Sequence, residues 1–344
     1  MAIQKAVVIK GRKHAEVVAD RPFPTLRDEY ILVKCAAVAL NPTDWKHIDN
    51  LSCPGVVVGC DYAGEVLEIG KGVKKPFRKG DRICGFVHGS NAVQHEDGAF
   101  AEYIMVKGDL QMNIPGYMGF EEAATLGLGV ITAAQGLYQS LKLALPTEPI
   151  SQPKTILIYG GSTATGTLAI QLAKISGYTV LTTCSSRNFE LVKSRGADRI
   201  FDYHDPSSAA AIRESTQGGL KLVFDTISSE SSAKYCEQAL STEGGDYSTL
   251  LPITIDRANI HSRATMAYTA FGEDFTFGPR AIGAKLEDRE FAEKFCSIIQ
   301  KLLEERKLKV HPPEVCSGGL EGVLEGLQRM REGKVSGMKL VYKI

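Results

Sequence analysis

The segment TILIYGGSTATG (155–166) limits what this chain can fold into more than any other stretch. Its first part, TILIYG (155–160), is a run of apolar and β-branched residues, as expected for a strand buried on both faces of a parallel sheet. A turn of glycines, hydroxyls and alanine follows, and then TLAIQLAKISG (167–177), whose small and apolar residues predict a helix with Gly177 as its stop. Small residues let the backbone turn sharply and approach a pyrophosphate. The free N–H groups and positive dipole end of the helix favour the anion. A glycine-rich turn alone is weak evidence, and a plain strand-to-helix turn is the competing reading. The downstream text favours the phosphate loop. YTVLTTC (178–184) reads as a strand, NFELVKSRGA (188–197) as a helix, and DRIFDY (198–203) and LKLVFDTI (220–227) as further strands. That alternation is the mark of a doubly wound sheet.

Cofactor choice is read at the end of the second strand, where an NAD enzyme usually carries Asp or Glu for the ribose 2′-hydroxyl. This chain has Cys184, Ser185, Ser186, Arg187 and Asn188 there instead. An arginine with hydroxyl and amide donors and no carboxylate suits a 2′-phosphate, so NADPH is expected. Arg187 and Ser185 could equally cap the next helix, a role compatible with phosphate binding.

With 344 residues, the chain is longer than one hydrophobic core usually organises, and two domains are expected. Up to residue 126 it consists of short β-rich runs punctuated by Gly and Pro, among them YILVKCAAVAL (30–40), YAGEVLEIG (62–70), GDRICGFV (80–87) and AEYIMV (101–106). This spacing predicts a barrel-like or sandwich unit. ITAAQGLYQSLKLAL (131–145) has helical composition. REFAEKFCSIIQKLLEERKL (289–308) is an amphipathic helix, and a further helix (320–331) and a strand, MKLVYK (338–343), follow. The boundaries expected are 1–126 with 284–344 for one domain and 127–283 for the nucleotide-binding domain.

Lys plus Arg and Asp plus Glu number 40 each. Binding to nucleic acid or to an anionic membrane normally needs a basic surface, which this balance does not suggest. The run KGVKKPFRK (71–79) reads as a solvated loop. The opening MAIQKAVVIKGRKH lacks the apolar stretch of a signal peptide, and no window approaches the roughly 18 apolar residues of a spanning helix. A soluble, cytoplasmic protein is expected. The eight cysteines are scattered without a CxxC pair and read as free, buried thiols. The seven histidines form no ligand-spaced cluster with them, so no metal is expected.

NPTDWK (41–46), GCDYAGEV (59–66), KGDRICGF (79–86) and DGAFAEY (97–103), with the GGSTATG turn and the returning final strand, resemble the medium-chain dehydrogenase/reductase superfamily over essentially the whole chain. Zinc-dependent members carry Cys near the segment that here reads 41–44, and His where Gly59, Cys60 and Asp61 stand, so the resemblance is to the zinc-free branch. YGGSTATG (159–166), the stretch 184–203 and the ending GKVSG (333–337) are most similar to fungal trans-acting enoyl reductases of the lovastatin type, which serve polyketide synthases. Common quinone reductases have Gly where Thr163 stands.

The resemblance implies an α/β protein, a GroES-like β-rich barrel domain with an inserted doubly wound Rossmann domain. It also implies NADPH as cofactor, with Thr43, Asp44, Trp45 and Lys46 lining the nicotinamide and ribose. Gly160, Gly161, Ser162, Thr163, Ala164 and Thr165 would hold the pyrophosphate. Ser185, Ser186, Arg187, Asn188 and Tyr203 would surround the 2′-phosphate, and Leu250, Leu251, Val335 and Ser336 would complete the cofactor pocket. The substrate cavity would be shaped by Ala133, Ala134, Gln135, Gly136, Leu137, Tyr138, Gln139 and Ser140, together with Thr269, Ala270, Phe271, Gly272 and Glu273.

Reduction of an α,β-unsaturated thioester requires hydride at the β-carbon and stabilisation of the enolate oxygen that develops. Lys46 and Thr132 are the catalytic candidates the resemblance supplies, although Lys46 taken alone reads as a surface lysine. Tyr62 is another candidate acid whose alternative job is aromatic packing, and solvent can also supply the proton. A small-molecule or carrier-bound enoyl substrate, a polyketide synthase partner and a monomeric state are implied. A stand-alone quinone or enone reductase shares these motifs. A non-catalytic NADPH-binding protein stays open as a reading from another class. A zinc alcohol dehydrogenase is the poorest fit.

Overall fold

In the computed structural model, which describes residues 2–51 and 53–344, the strand Thr155–Tyr159 lies inside a six-stranded parallel sheet. Across that sheet the strands run Arg199–Asp202, Thr179–Cys184, Thr155–Tyr159, Leu222–Asp225, Gly245–Thr249 and Ile260–Ala264. In chain order this is 3-2-1-4-5-6, the doubly wound arrangement. Its order reverses between Thr155–Tyr159 and Leu222–Asp225, and ligands bind at the carboxyl ends of strands at such a point. Apolar burial explains the placement. Leu157, Leu181, Val223 and Tyr247 come from four neighbouring strands and pack into one core with Cys236 and Leu240. The helix Ala164–Ile175 buries Leu168, Ala169, Ile170, Leu172 and Ala173.

The chain divides into two compact units. Unit 2, which holds this sheet, comprises Thr132–Ala267 and Arg306–Lys309. Unit 1 takes the residues up to Ile131, with Tyr268–Glu305 and Val310–Ile344. In unit 1 a seven-stranded sheet runs Pro313–Cys316, Lys339–Lys343, Tyr30–Ala39, Asp61–Ile69, Arg82–Phe86 and Met112–Asn113, with Tyr103–Lys107 paired to Tyr30–Ala39 off that path. The hairpin Ile3–Gly11 and His14–Pro22 packs its Ala6, Val7, Val8 and Ile9 into the same core as Ile31, Val33, Tyr62 and Ile83.

Two features depart from the sequence reading. Residues 127–131 and 268–283, read with the nucleotide-binding domain, belong to unit 1, where Tyr268, Phe271 and Phe275 pack their rings against His88, and 306–309, read with the other domain, belong to unit 2. The expected helix at 131–145 is instead Gly127–Ala134, then a π-helical turn Gln135–Ser140. It stops there because Lys142 takes a left-handed backbone (φ 57°) and Pro146 follows. The run at 71–79 is a loop with only Phe77 buried. All eight cysteines are free, with Cys53 and Cys316 half-buried and the others buried. Among the described residues, no helix is long and apolar enough to cross a membrane.

Candidate active site

The phosphate turn is shaped by contacts that leave no room for larger residues. Gly160 has φ 80°, and a Cβ there would come within 2.7 Å of Thr226 Oγ1. A Cβ on Gly166 would strike the Gly160 carbonyl, so the helix start can lie this close to the turn only because that residue is glycine. Thr163 needs no such freedom. Its backbone is extended, and its Oγ1 accepts the Gly166 N–H at 2.9 Å, which caps the helix Ala164–Ile175. That resolves the departure from Gly at this position: the threonine caps, and Thr226 Oγ1 braces it at 3.0 Å. Ser162, Thr163, Ala164 and Thr165 are half-buried, while Gly161 is buried. The N–H groups of Ala164 and Thr165 open the helix and have no acceptor inside it, as at any helix start. A close-approach turn, a capped helix and free N–H groups form a cradle that fits a dinucleotide pyrophosphate.

Ser185 and the single-turn helix Ser186–Asn188 follow the second strand. Ser186 and Arg187 are exposed, and Asn188 is buried with its Nδ2 donating to Ser185 Oγ at 3.4 Å. Ser185 makes no side-chain cap to the helix, so the capping alternative for it is not met. Tyr203 is exposed, and its ring packs tilted against that of His204 with centroids 4.1 Å apart. One carboxylate was not foreseen. Asp202 ends the neighbouring strand in register with Cys184, accepts the Ser186 N–H at 3.2 Å and accepts from His204 N and Nδ1. Those bonds, His204's first, hold its pKa down. At the far side of the sheet, the Leu250 N–H donates to Ser228 Oγ, and Leu251 is exposed.

The remaining residues of unit 2 are mostly core. Thr132 is half-buried, whereas Ala133, Ala134, Gln135, Gly136, Leu137, Tyr138 and Ser140 are buried and Gln139 half-buried. A Cβ on Gly136 would overlap the Phe224 ring, and Tyr138 OH lies 3.0 Å from Ser176 Oγ.

In unit 1 the helix Pro42–Asn50 carries the NPTDWK residues. Asn41 precedes it, and the Asn41 N–H donates to Asp44 Oδ2 at 2.7 Å, the reciprocal half of a capping box. Asp44 is buried, and desolvation lifts its carboxyl to about 7. Lys46 is half-buried with its Nζ 5.7 Å from the centroid of the half-buried Trp45, and desolvation lowers its pKa. Thr43 Oγ1 lies 3.0 Å from His47 Nε2 and 3.0 Å from Tyr268 OH, which also reaches Cys60 Sγ at 3.5 Å. Val335 and Ser336 are half-buried. Lys46 and Thr132, the two catalytic candidates from the sequence, fall in different units.

The segments 41–44 and 59–61, where the resemblance implies that a metal-dependent protein would carry its zinc ligands, do meet. Asn41 Nδ2 donates to Asp61 Oδ2 at 2.9 Å, and the buried Lys339 ammonium bonds to the same carboxylate. An ammonium where a cation would sit is a poor fit to zinc, and no group of three or more His, Cys, Asp or Glu side chains among the described residues is placed to hold a metal ion. Tyr62 is fully buried with its hydroxyl donating to Gln111 Oε1 at 2.9 Å, an arrangement that favours its packing role over that of an acid.

Of the 269–273 residues, Thr269, Ala270 and Phe271 are buried, and Thr269 Oγ1 donates to Asp288. Gly272 bends the chain with φ 62°. Glu273 accepts from Tyr30 OH at 2.8 Å and from the buried Lys107 ammonium at 2.6 Å. Glu273 borders a cavity of about 360 Å³ whose wall also includes Arg27, Tyr30, His88 and Asn91. His47, Cys60, His88, Thr226 and Tyr268 were not foreseen. The switch-point rule could have flagged Thr226; nothing local marks the others.

Two family models match, the alcohol dehydrogenase GroES-like domain over residues 27–116 and the zinc-binding dehydrogenase over residues 164–248. The trans-enoyl reductase TOXD of Cochliobolus carbonum is 63% identical, covering 80% of this chain and 93% of that protein. The trans-enoyl reductase resD of Aspergillus sclerotiorum is 46% identical over 99% of this chain and all of its own length. Among solved structures, a quinone oxidoreductase from Coxiella burnetii superposes with TM-score 0.74 at 25% identity, covering 100% of both chains. The CurK enoyl reductase shares the fold with TM-score 0.75 at 18% identity, covering 99% of each.

Proposed function

Because the chain belongs to the trans-enoyl reductases of the medium-chain dehydrogenase/reductase superfamily, we propose that it reduces the C=C bond of an α,β-unsaturated thioester carried by a separate polyketide synthase, with NADPH as donor. The observation that carries the reading is that likeness to trans-enoyl reductases along nearly the whole chain, with the phosphate turn intact. NADPH in particular is supported by Arg187. Its guanidinium is exposed beside Ser185 and Ser186, while the nearby carboxylate of Asp202 is already taken by three N–H donors. The protein works as a cytoplasmic monomer.

Bound NADPH supplies the hydride. The turn 160–166 would hold the pyrophosphate, Arg187 with its serines would hold the 2′-phosphate, and Thr43 and Trp45 would line the nicotinamide. Lys46 donates to the substrate carbonyl oxygen as enolate charge develops there. Burial, which also lowers its pKa, leaves the ammonium weakly solvated and so a stronger donor to that oxygen. Thr132 adds a hydroxyl to substrate or cofactor, and solvent protonates the α-carbon.

The test is NADPH consumption with three substrates: a crotonyl thioester on an acyl carrier protein, a simple enone and a quinone. Turnover of the carrier thioester above the other two supports the reading. Turnover of the quinone alone assigns the chain to quinone reduction, and binding of NADPH without turnover of any acceptor makes it a non-catalytic binder.

A further inference from the structure

We propose that His88 is a specificity-determining hydrogen-bond donor whose Nε2–H binds the carbonyl of a secondary amide in the cavity beside Glu273. The inference rests on the enoyl thioester reading above, because the thiol arm of an acyl carrier bears such amides.

The geometry of Asn91 fixes the proton on His88. Asn91 Oδ1 accepts the backbone N–H groups of Val93 at 3.0 Å and Gln94 at 3.3 Å. The other end of the amide is therefore the NH₂, which donates to Asp97 Oδ2 at 3.2 Å and faces His88 Nδ1 at 3.4 Å. A ring nitrogen facing an amide donor must be the acceptor, so in the neutral ring the proton sits on Nε2. The ring is neutral at pH 7, since burial pushes it down to about 3. It is also held rigidly: Tyr268 stacks on it at 4.5 Å, Phe271 at 5.3 Å, and Phe275 meets it edge-on at 5.1 Å. His88 is 7% exposed and lines the cavity, and Nε2 has no hydrogen-bond partner among the described residues. It is a fixed, neutral, unpartnered donor.

The rest of the wall defines the ligand. Arg27 is paired with Asp97 and stacked on Tyr30 at 3.6 Å, so the cavity offers no unmatched cation to a carboxylate or phosphate. Tyr30 already donates to Glu273. Exposed carboxylates of Asp28 and Asp274 stand at the same wall as acceptors. The wall also carries the exposed Gln94 amide and the buried Arg27 Nε, which has no hydrogen-bond acceptor among the described residues. The fixed His88 donor with carboxylate acceptors nearby matches the C=O and N–H of a secondary amide, and about 360 Å³ is within the range of small-molecule sites. The Tyr268 ring that stacks on His88 also reaches Thr43 through its hydroxyl, which ties this wall to the helix Pro42–Asn50.

The experiment compares crotonyl thioesters of N-acetylcysteamine, which has an amide, and of ethanethiol, which has none. The wild type is expected to show the higher kcat/KM for the amide-bearing ester. His88→Phe keeps the ring stacking and should shrink the ratio roughly three- to tenfold. His88→Gln, with an amide N–H₂ near the position of Nε2, should restore most of it. Damage to the fold lowers both substrates alike and leaves the ratio in place. An unchanged ratio in His88→Phe overturns the proposal while the reductase reading stands. If the wild type reduces neither ester, that reading fails, and a titration of ¹⁵N-histidine-labelled protein with pantetheine, His88 assigned by His88→Gln, still decides the donor. A shift at a protonated Nε2 supports it, and an unmoved signal or an Nδ1–H tautomer sinks it.

Discussion

Lys339 and Asp61 form an ion pair, 278 positions apart in sequence, with side chains 3% and 0% exposed. The same carboxylate accepts from Asn41 Nδ2 and from the Leu128 N–H, and the ammonium also bonds to the Thr125 carbonyl. Together these bonds tie the closing strand to the segment ahead of the helix Pro42–Asn50. Removing one partner of a buried pair leaves the other uncompensated. Lys339→Met should therefore destabilise the fold by about 3–5 kcal/mol, read as a lowered urea midpoint at constant slope. A loss below about 1 kcal/mol would mean that water reaches the pair.

Thr163 stands in the phosphate turn, yet its hydroxyl is occupied by the Gly166 N–H and by Thr226 Oγ1. Thr163→Ala should accordingly cost about 1 kcal/mol of stability, as the loss of a helix cap does, while the NADPH dissociation constant moves less than about threefold, since under 1 kcal/mol is at stake. Calorimetric unfolding beside a fluorescence titration separates the two. A large loss of affinity with unchanged stability would put the hydroxyl on the pyrophosphate instead.

Arg187 is the exposed cation of the 185–188 loop. Arg187→Ala should raise the NADPH Michaelis constant by roughly 10- to 100-fold, the equivalent of about 1.5–3 kcal/mol for a hydrogen bond to a charged group. The NADH constant should hardly change. Equal effects on both cofactors would remove the 2′-phosphate assignment.

The legible parts of this protein are those written in local periodicity. The strand, turn and helix at 155–177 announce themselves because a strand buried on both faces, close-approach glycines and an apolar helix face are adjacent in the chain. The cluster around Tyr268 could not be read that way. His88, Cys60, Thr43 and Tyr268 come from four segments, and only the closure of unit 1 brings them together. Asp202 shows a subtler limit. The absence of a carboxylate after the second strand is visible in the sequence, but parallel pairing of Asp202 with Cys184 brings one back from the next strand. Lys339 gave no signal at all, because a lysine opening a terminal strand ordinarily points to solvent.

Lys46 gives a kinetic signature. Burial lowers its pKa from the ordinary 10.5, so the ammonium is lost as pH rises through a value below that of a free lysine. Turnover should fall along an alkaline limb displaced in that direction. Lys46→Ala should lower kcat, abolish that limb and leave NADPH affinity nearly intact. A pH profile of kcat that is the same in the variant clears Lys46 of a role in the chemistry.

Stability should respond to acid through two opposed pairs. Burial pushes His47 to about 4 and His88 to about 3 from the usual 6.5. The unfolded chain takes up those protons first, so this stabilisation is whole above about 6.5 and drains away as pH falls toward the folded values. Burial lifts Asp44 to about 7 and Asp97 to about 6 from 3.8. Here the folded state takes the proton first, so folding is favoured at low pH and that advantage is lost as pH rises through about 6 to 7. Each group contributes on the order of 1–2 kcal/mol between about pH 5 and 6.5, with opposite signs. The wild type should therefore hold nearly constant stability across that window. His47→Gln removes one acid-sensitive partner and leaves both aspartates, so the variant should gain about 1 kcal/mol on going from pH 6.5 to 5. Urea midpoints at the two pH values measure this directly. A variant that loses stability on acidification, as ordinary carboxylate-paired proteins do, would show that neither aspartate is held protonated in the fold.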